Sequence, residues 1–338
     1  MSRSLRASAL ALASVAVLLV AGCASTPTDE GTDSPGSSGD AFPVTIEHAL
    51  GTTVIPEQPE RVVTWGWGSA DAAIALGVVP VAIPFQSYGG DESGVLPWIR
   101  DALEAQGGEI PTVLPDSTEE PPYENIIEAD PDVIIAVYSG ITAEEYELLS
   151  AIAPVVAYPE EAWSTPWKDV VTLTAEALGK NDEAEDVLAA IDESLAEQAD
   201  AHPEWAGKTL AAVWDIAGTF YVYKEADPRV EFMLELGFEN APSVDELANG
   251  DETFYYTLSY EQLDALESDV VVSYSDTQAE ADAFVASAHG STIPAVAAGA
   301  VATVVGTEFI ASVSPPTALS LTWGLDDLIS ALEKAVTK

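Results

Sequence analysis

Tyr123-Glu124-Asn125-Ile126-Ile127-Glu128-Ala129-Asp130-Pro131-Asp132-Val133-Ile134-Ile135 aligns without a gap on Tyr260-Glu261-Gln262-Leu263-Asp264-Ala265-Leu266-Glu267-Ser268-Asp269-Val270-Val271-Val272, 137 residues later. Tyr, Glu, Asp and Val recur at the same offsets, and apolar residues meet apolar ones at most of the others. Each copy predicts a short amphipathic helix, a turn closed by an acidic residue and a wholly apolar strand, as a buried parallel sheet requires. A repeat at so long a period points to two related α/β lobes rather than a solenoid. It also sets one glutamate, Glu124 or Glu261, at the equivalent place on each lobe.

Working outward, strand and helix signals alternate. Arg61 to Trp65 reads as a strand; Ser69 is then expected to cap a helix ending at Leu76, with Gly77 as its stop. Further strands are expected at Val78–Ile83, Asp132–Val137 and Val155–Tyr158, with a helix over Ala143–Ile152. A second series runs through strands at Thr209–Trp214 and Tyr221–Tyr223, a helix at Arg229–Leu236, and strands at Val270–Tyr274 and Val301–Val305. Such alternation predicts parallel sheets covered by helices. Between the series, one helix from Trp167 to Leu178 stops at Gly179. Another, capped by Asn181, runs to about Ala201 before Pro203, with Val187, Leu188, Ile191 and Leu195 on one stripe. A helix of roughly twenty residues is about 30 Å long, enough to act as a strut between lobes.

Residues 1–22 form an export signal: Arg3 and Arg6, then an apolar run from Ala7 to Ala21 too short to span a bilayer permanently. Val20-Ala21-Gly22-Cys23 resembles a bacterial lipobox, in which the cysteine is diacylated and the preceding peptide removed. An ordinary secretory signal is the competing assignment, but Cys23 is the single cysteine of the chain. Lipidation there leaves no thiol for a disulfide, a metal or nucleophilic catalysis. Residues 23–41, rich in Ser, Thr, Gly, Pro and acid, cannot bury a core and read as a lipidated tether.

The chain carries 11 basic against 57 acidic residues. Loss of Arg3 and Arg6 with the signal would leave nine basic ones and a net charge near −48. That balance argues against nucleic acid or an anionic bilayer as a surface partner, although solubility or salt adaptation accounts for most of the carboxylates.

Pro59-Glu60-Arg61-Val62-Val63, with Ala75-Leu76-Gly77-Val78 and Pro80-Val81, resembles the opening of the helix-linked (class III) periplasmic-type binding proteins of iron-siderophore and cobalamin ABC importers. Ala129 to Ile135, Ile152-Ala153-Pro154-Val155-Val156 and Leu178-Gly179-Lys180 are similar to later landmarks of that family. Ser314-Pro315-Pro316-Thr317-Ala318-Leu319-Ser320 with Leu325-Asp326-Asp327 resembles the C-terminal segment of its iron-siderophore branch. The resemblance covers about residues 43 to 335. It implies an α/β fold of two Rossmann-like lobes with central parallel sheets, joined by a single long rigid helix: residues 42–180, 181–203 and 204–338. It also implies that Glu124 and Glu261 dock onto arginines of an ABC permease dimer. Carboxylates favoured by a helix N-terminus are the competing assignment.

In open α/β sheets the crevice lies beyond the strand ends. Aromatic residues gather there: Trp65, Trp67, Tyr88, Tyr138 and Trp163 in the first series, and Trp214, Tyr221, Tyr223, Tyr274 and Phe309 in the second. A large chelate with an apolar scaffold and metal-binding oxygens suits such a wall, although core packing is the alternative for each residue. Trp65, Trp67, Tyr88, Tyr138, Trp163, Trp214, Tyr221, Arg229 and Tyr274 are the expected ligand contacts. Beyond the signal only Arg61, Arg100 and Arg229 are arginines. Arg61 lies in the opening motif and is read as structural; Arg229 is the candidate to reach the cleft, with a surface pair to Glu225 or Glu231 as its competing fate. So few cations predict a neutral or cationic ferric hydroxamate rather than an anionic catecholate. The expected protein is a monomer without cofactor, lipid-anchored outside the cell membrane, that passes its chelate to the permease.

Three rival functions compete with this expectation. Direct metal capture would need converging ligands, yet no spacing pairs His48, His202 and His289. Cobalamin or haem would suit the same fold. An extracellular hydrolase would need a nucleophile elbow or similar motif, and none is present; Asp215 and His289 have no serine at a supporting spacing.

Overall fold

The computed structural model describes residues 42–117, 120–250 and 252–337. The signal, Cys23 and the tether lie outside them. A hairpin of β1 (Val44–His48) and β2 (Gly51–Ile55) opens the body. The first lobe then holds β3 (Val62–Thr64), α1 (Ser69–Ala75), β4 (Ala82–Ile83), α2 (Pro97–Ala105), β5 (Thr112–Val113), α3 (Tyr123–Glu128), β6 (Val133–Ala136), α4 (Ala143–Ser150) and β7 (Val155–Ala157). Its five strands are all parallel, in the order β5-β4-β3-β6-β7.

α5 (Trp167–Leu178) and α6 (Asn181–Ala201) lead into the second lobe. Gly179, at φ 66, ends α5 where a side chain would strike the Phe42 ring. α6 buries Ala184, Ile191 and Leu195 against a core reaching from Val62 and Val133 to Leu210 and Val272. Each large side chain so buried contributes about 1.5–3 kcal/mol. Lys168 of α5 bonds Asp192 of α6 at 2.8 Å and Glu235 of the next helix at 3.1 Å, fastening the strut to the second lobe.

That lobe contains β8 (Thr209–Ile216), β9 (Thr219–Tyr223), α7 (Pro228–Glu235), β10 (Glu239–Asn240), α8 (Pro242–Glu246), β11 (Tyr255–Leu258), β12 (Val270–Ser275), α9 (Gln278–Ala286), α10 (Pro294–Ala298), β13 (Val301–Val305), α11 (Thr307–Val313) and α12 (Ser320–Val336). Its sheet runs β11-β9-β8-β12-β13, with β10 beside the start of β8.

The internal repeat has a physical counterpart. Asp132, before β6, accepts the Glu60 and Arg61 amides at 2.7 and 3.0 Å. Asp269, its counterpart before β12, accepts the Thr209 amide at 2.8 Å. Each carboxylate thus satisfies backbone donors at the start of its lobe's first strand, which no ladder partner reaches.

Five expectations need correction. The second sheet is mixed, because a tight turn at Ala217-Gly218, both at positive φ, folds β9 back antiparallel on β8. The second copy of the repeat forms a 3-10 turn (Tyr260–Ala265) rather than an α-helix. Ser69 does not cap α1: Gly68 at φ 73 holds that position, and the buried Ser69 hydroxyl finds no partner. Lys180, not Asn181, precedes α6, and it lends no capping bond. The strand expected over Val78–Ile83 is only Ala82–Ile83.

The last stretch of chain returns to the first lobe. Trp67 Nε1 donates to the Pro315 carbonyl at 3.2 Å. The Thr317 hydroxyl and Trp98 Nε1 both donate to buried Asp71. Trp323 Nε1 reaches Asp101 at 3.1 Å while its ring packs on Trp98. Ala311, Leu319 and Trp323 thereby join Ile74, Ile83 and Leu103 in one apolar cluster.

Candidate functional site

Parallel strands carry their side chains to a common end, and in the first lobe the loops leaving β3, β4 and β6 meet there. Gly66 separates Trp65 from Trp67 at φ 87, with the Tyr138 carbonyl so near that a Cβ would lie 2.2 Å from it. Trp67 N–H donates to that carbonyl at 3.0 Å. Trp65, Trp67, Phe85 and Trp163 line a depression of about 350 Å³ on the first lobe. Trp163 is 54% exposed and meets Tyr138 edge-on at 5.8 Å. Gly140 is what leaves room for the Trp163 indole.

Opposite them stands Arg229, in the first turn of α7. Asp227 caps that helix, accepting the Arg229 amide at 2.9 Å, and its Oδ1 lies 2.7 Å from Arg229 Nε. Asp227 is 1% exposed and the Arg229 side chain 14%. The guanidinium carbon sits 3.8 Å from the Tyr223 ring centre and 5.9 Å from that of Tyr274. Cation–π contact of this kind, shielded from water, contributes about 2 kcal/mol. Arg229 is therefore no surface pair with Glu225 or Glu231; its neutralising partner lies two residues back, inside the protein.

The titration of the surrounding groups records this charge. Burial alone would lower Arg229, but Asp227, Tyr223 and Tyr274 hold it raised. Asp227 is raised by burial, with Arg229 opposing. Burial lifts Tyr223 to about 12, against the pull of Arg229. Tyr138 and Tyr88 feel Arg229 from the first lobe, although burial dominates and both hydroxyls are raised. Tyr88 then crosses the mouth and donates to Asp276 at 2.8 Å.

The other expected contacts divide. Tyr274 is 1% exposed; its ring packs against Trp214 and Tyr223, while its hydroxyl lies near Arg229 without a hydrogen-bond partner. Tyr221 pairs across the strands with Trp214 and lies 5.6 Å from Tyr255. Trp214 borders a second depression of about 440 Å³, with Asp215, Tyr260, Asp276 and His289. Tyr88, Tyr138, Arg229 and Tyr274 thus converge with Tyr223. Trp65, Trp67 and Trp163 form one flank, and Trp214 with Tyr221 the other. Tyr223 and Asp227 were not among the expected contacts; the Asp227-Pro228 pair, a helix-start signal, marked where Asp227 would turn inward.

Glu124 lies in the first turn of α3 and Glu261 at the equivalent place in the 3-10 turn, both exposed. The histidines keep separate company. His48 bonds Thr53, His202 stacks on Trp205 at 4.0 Å, and His289 bonds Asp215 at 2.8 Å. Among the described residues no three metal-binding side chains converge, and no helix is long and apolar enough to cross a membrane.

A family model described as "Periplasmic binding protein" matches residues 62–305. The chain is 29% identical over 266 residues to a probable siderophore-binding lipoprotein, YfiY, of Bacillus subtilis, covering 77% of this chain and 76% of that one. The structure of PiaA from Streptococcus pneumoniae in complex with ferrichrome superposes with a TM-score of 0.77 at 31% identity, over 87% of this chain and 99% of the other. SirA of Staphylococcus aureus with staphyloferrin B gives 0.66 at 26% identity, over 86% and 98%.

Proposed function

The chain belongs to the periplasmic binding protein family, and from its cleft we infer that it captures a ferric siderophore outside the cell membrane and delivers it to an ABC permease. The observation that carries this reading is the caged Arg229. It offers fork-shaped donors to ligand oxygens, rimmed by tyrosine hydroxyls and apolar ring faces. A ferric hydroxamate presents that combination: oxygens around the metal and an aliphatic scaffold outside.

Arg61 bonds the Asp130 and Ala129 carbonyls at the far end of the first sheet, and Arg100 of α2 pairs with Asp91 in the loop before it. Neither adds charge to the cleft, which supports a neutral or cationic chelate. Residues 42–180 and 204–338 serve as the lobes, with 181–203 as the strut. The strut and the returning C-terminal segment limit closure, so affinity comes from a largely preformed wall. Cys23 carries the lipid that keeps this monomer at the membrane, and Glu124 and Glu261 seat the loaded protein on the paired permease subunits. The role is binding and not turnover, with no resident cofactor.

Tryptophan fluorescence of the untethered body, titrated with ferric hydroxamates, a ferric catecholate, cobalamin and haem, tests this reading. Saturable quenching by a hydroxamate at sub-micromolar concentration is expected. Response to cobalamin or haem alone would overturn the ligand class.

A further inference from the structure

A buried cation is expensive unless something balances it, and what balances it also decides which ligand charges the site accepts. Arg229 is balanced from within. Asp227 keeps one oxygen 2.7 Å from Arg229 Nε, while its other oxygen, Oδ2, is buried with no hydrogen-bond partner. Arg229 Nε, though close, has no aligned acceptor, and the buried Tyr274 hydroxyl has none either. These three atoms are grouped around one guanidinium. A helix cap needs one carboxylate oxygen, and a serine or asparagine would supply it. A full negative charge at this depth exceeds what capping requires.

Among the described residues, the lysines nearest the pair are engaged elsewhere. Lys168 is engaged by Asp192 and Glu235, and Lys224 by the Glu252 carbonyl. Asp276 accepts the Tyr88 hydroxyl at the mouth and adds a further negative charge. Glu231, on the next turn of α7, is raised by burial and then by Asp227. The cleft therefore offers directional donors with no net positive charge.

We propose that Asp227 sets the charge of the chelate: by cancelling Arg229 inside the cleft it admits neutral and cationic ferric complexes and turns away polyanionic ones. This rests on the reading of the cleft as a ferric-chelate site. Arg229 supplies the hydrogen bonds and Asp227 removes the Coulombic reward that an anion would otherwise gain. Because the pair is desolvated, a unit change of site charge alters affinity on the order of tenfold for each unit of ligand charge.

The test compares the wild type with Asp227→Asn and Asp227→Ser, both of which keep a capping oxygen. Three probes are titrated by tryptophan fluorescence: ferrioxamine B (cationic), ferrichrome (neutral) and a trianionic ferric tris-catecholate. The wild type should bind the first two and discriminate against the third. Either variant should raise the affinity ratio of tris-catecholate to ferrioxamine B by at least about a hundredfold, and Arg229→Gln should weaken ferrichrome. An unchanged ratio in both variants, with only a lowered melting temperature, would make Asp227 a helix cap and overturn the proposal. If Arg229→Gln binds all three probes as the wild type does, the cleft assignment fails, and the proposal with it.

Discussion

Replacing Asp71 by Ala tests how firmly the returning C-terminal segment holds the first lobe. Asp71 is 1% exposed and receives Trp98 Nε1 at 2.5 Å together with the Thr317 hydroxyl. Trp98 and Thr317 are themselves 2% and 4% exposed, so neither donor finds water when the carboxylate goes. Two stranded buried donors at about 1–3 kcal/mol each give a loss of about 2–6 kcal/mol. Thr317→Val removes one of these donors and the acceptor of the Ser320 amide, for about 2–4 kcal/mol. Because both variants break the same bond, the double variant should lose less than the sum, by about 1–2 kcal/mol. Urea unfolding read by fluorescence and by circular dichroism supplies all four corners of the cycle. A loss below about 1 kcal/mol for Asp71→Ala, or strictly additive losses, would refute the idea that this bond fastens the segment.

Two further outcomes are expected. Glu124→Ala together with Glu261→Ala should abolish uptake of the chelate while leaving its affinity for the isolated protein unchanged, and a large loss of chelate binding would refute the docking role. Burial raises the Asp71 carboxyl above its ordinary 3.8, outweighing the two donors that favour its ionised form. The folded protein then holds this proton more tightly than the unfolded chain, so the contribution is full below about pH 3.8 and is lost as pH rises through the higher folded value. Asp71→Asn has no proton to lose. Its urea midpoint relative to the wild type should rise between pH 4 and pH 8, and parallel profiles would rule this out.

The repeat was legible because Asp132 and Asp269 each do the same local work at the same offset, and a carboxylate before an apolar strand leaves a readable signature. The strut was legible for a similar reason: Gly179 and Pro203 bracket a run with one apolar stripe. The direction of β9 is not legible, since Tyr221–Tyr223 is apolar enough for either direction and only Gly218 hints at a reversal. Tyr274 shows the limit of reading a strand end as a cleft wall. Every residue of β12 is buried, so alternation cannot say which side chain meets ligand. Arg229 stands out as one of three arginines beyond the signal, but its partner Asp227 is hidden among 57 carboxylates, where local sequence gives no measure of depth. The bond from Trp67 to Pro315 spans 248 residues, beyond any window of pattern.

That return of the chain end has a consequence for the order of folding. The first lobe's apolar cluster is finished by Ala311, Leu319 and Trp323, residues made after nearly everything else. A chain that has emerged only as far as β13 holds both sheets in its sequence, yet leaves Trp98 and Ile74 without their cover. Closing contacts of such long sequence separation are slow, because the intervening loop must be ordered before they repay it. The apolar cluster of the first lobe is therefore expected to complete last. Trp67, which packs in that cluster, gains its final support only when the last helix has docked.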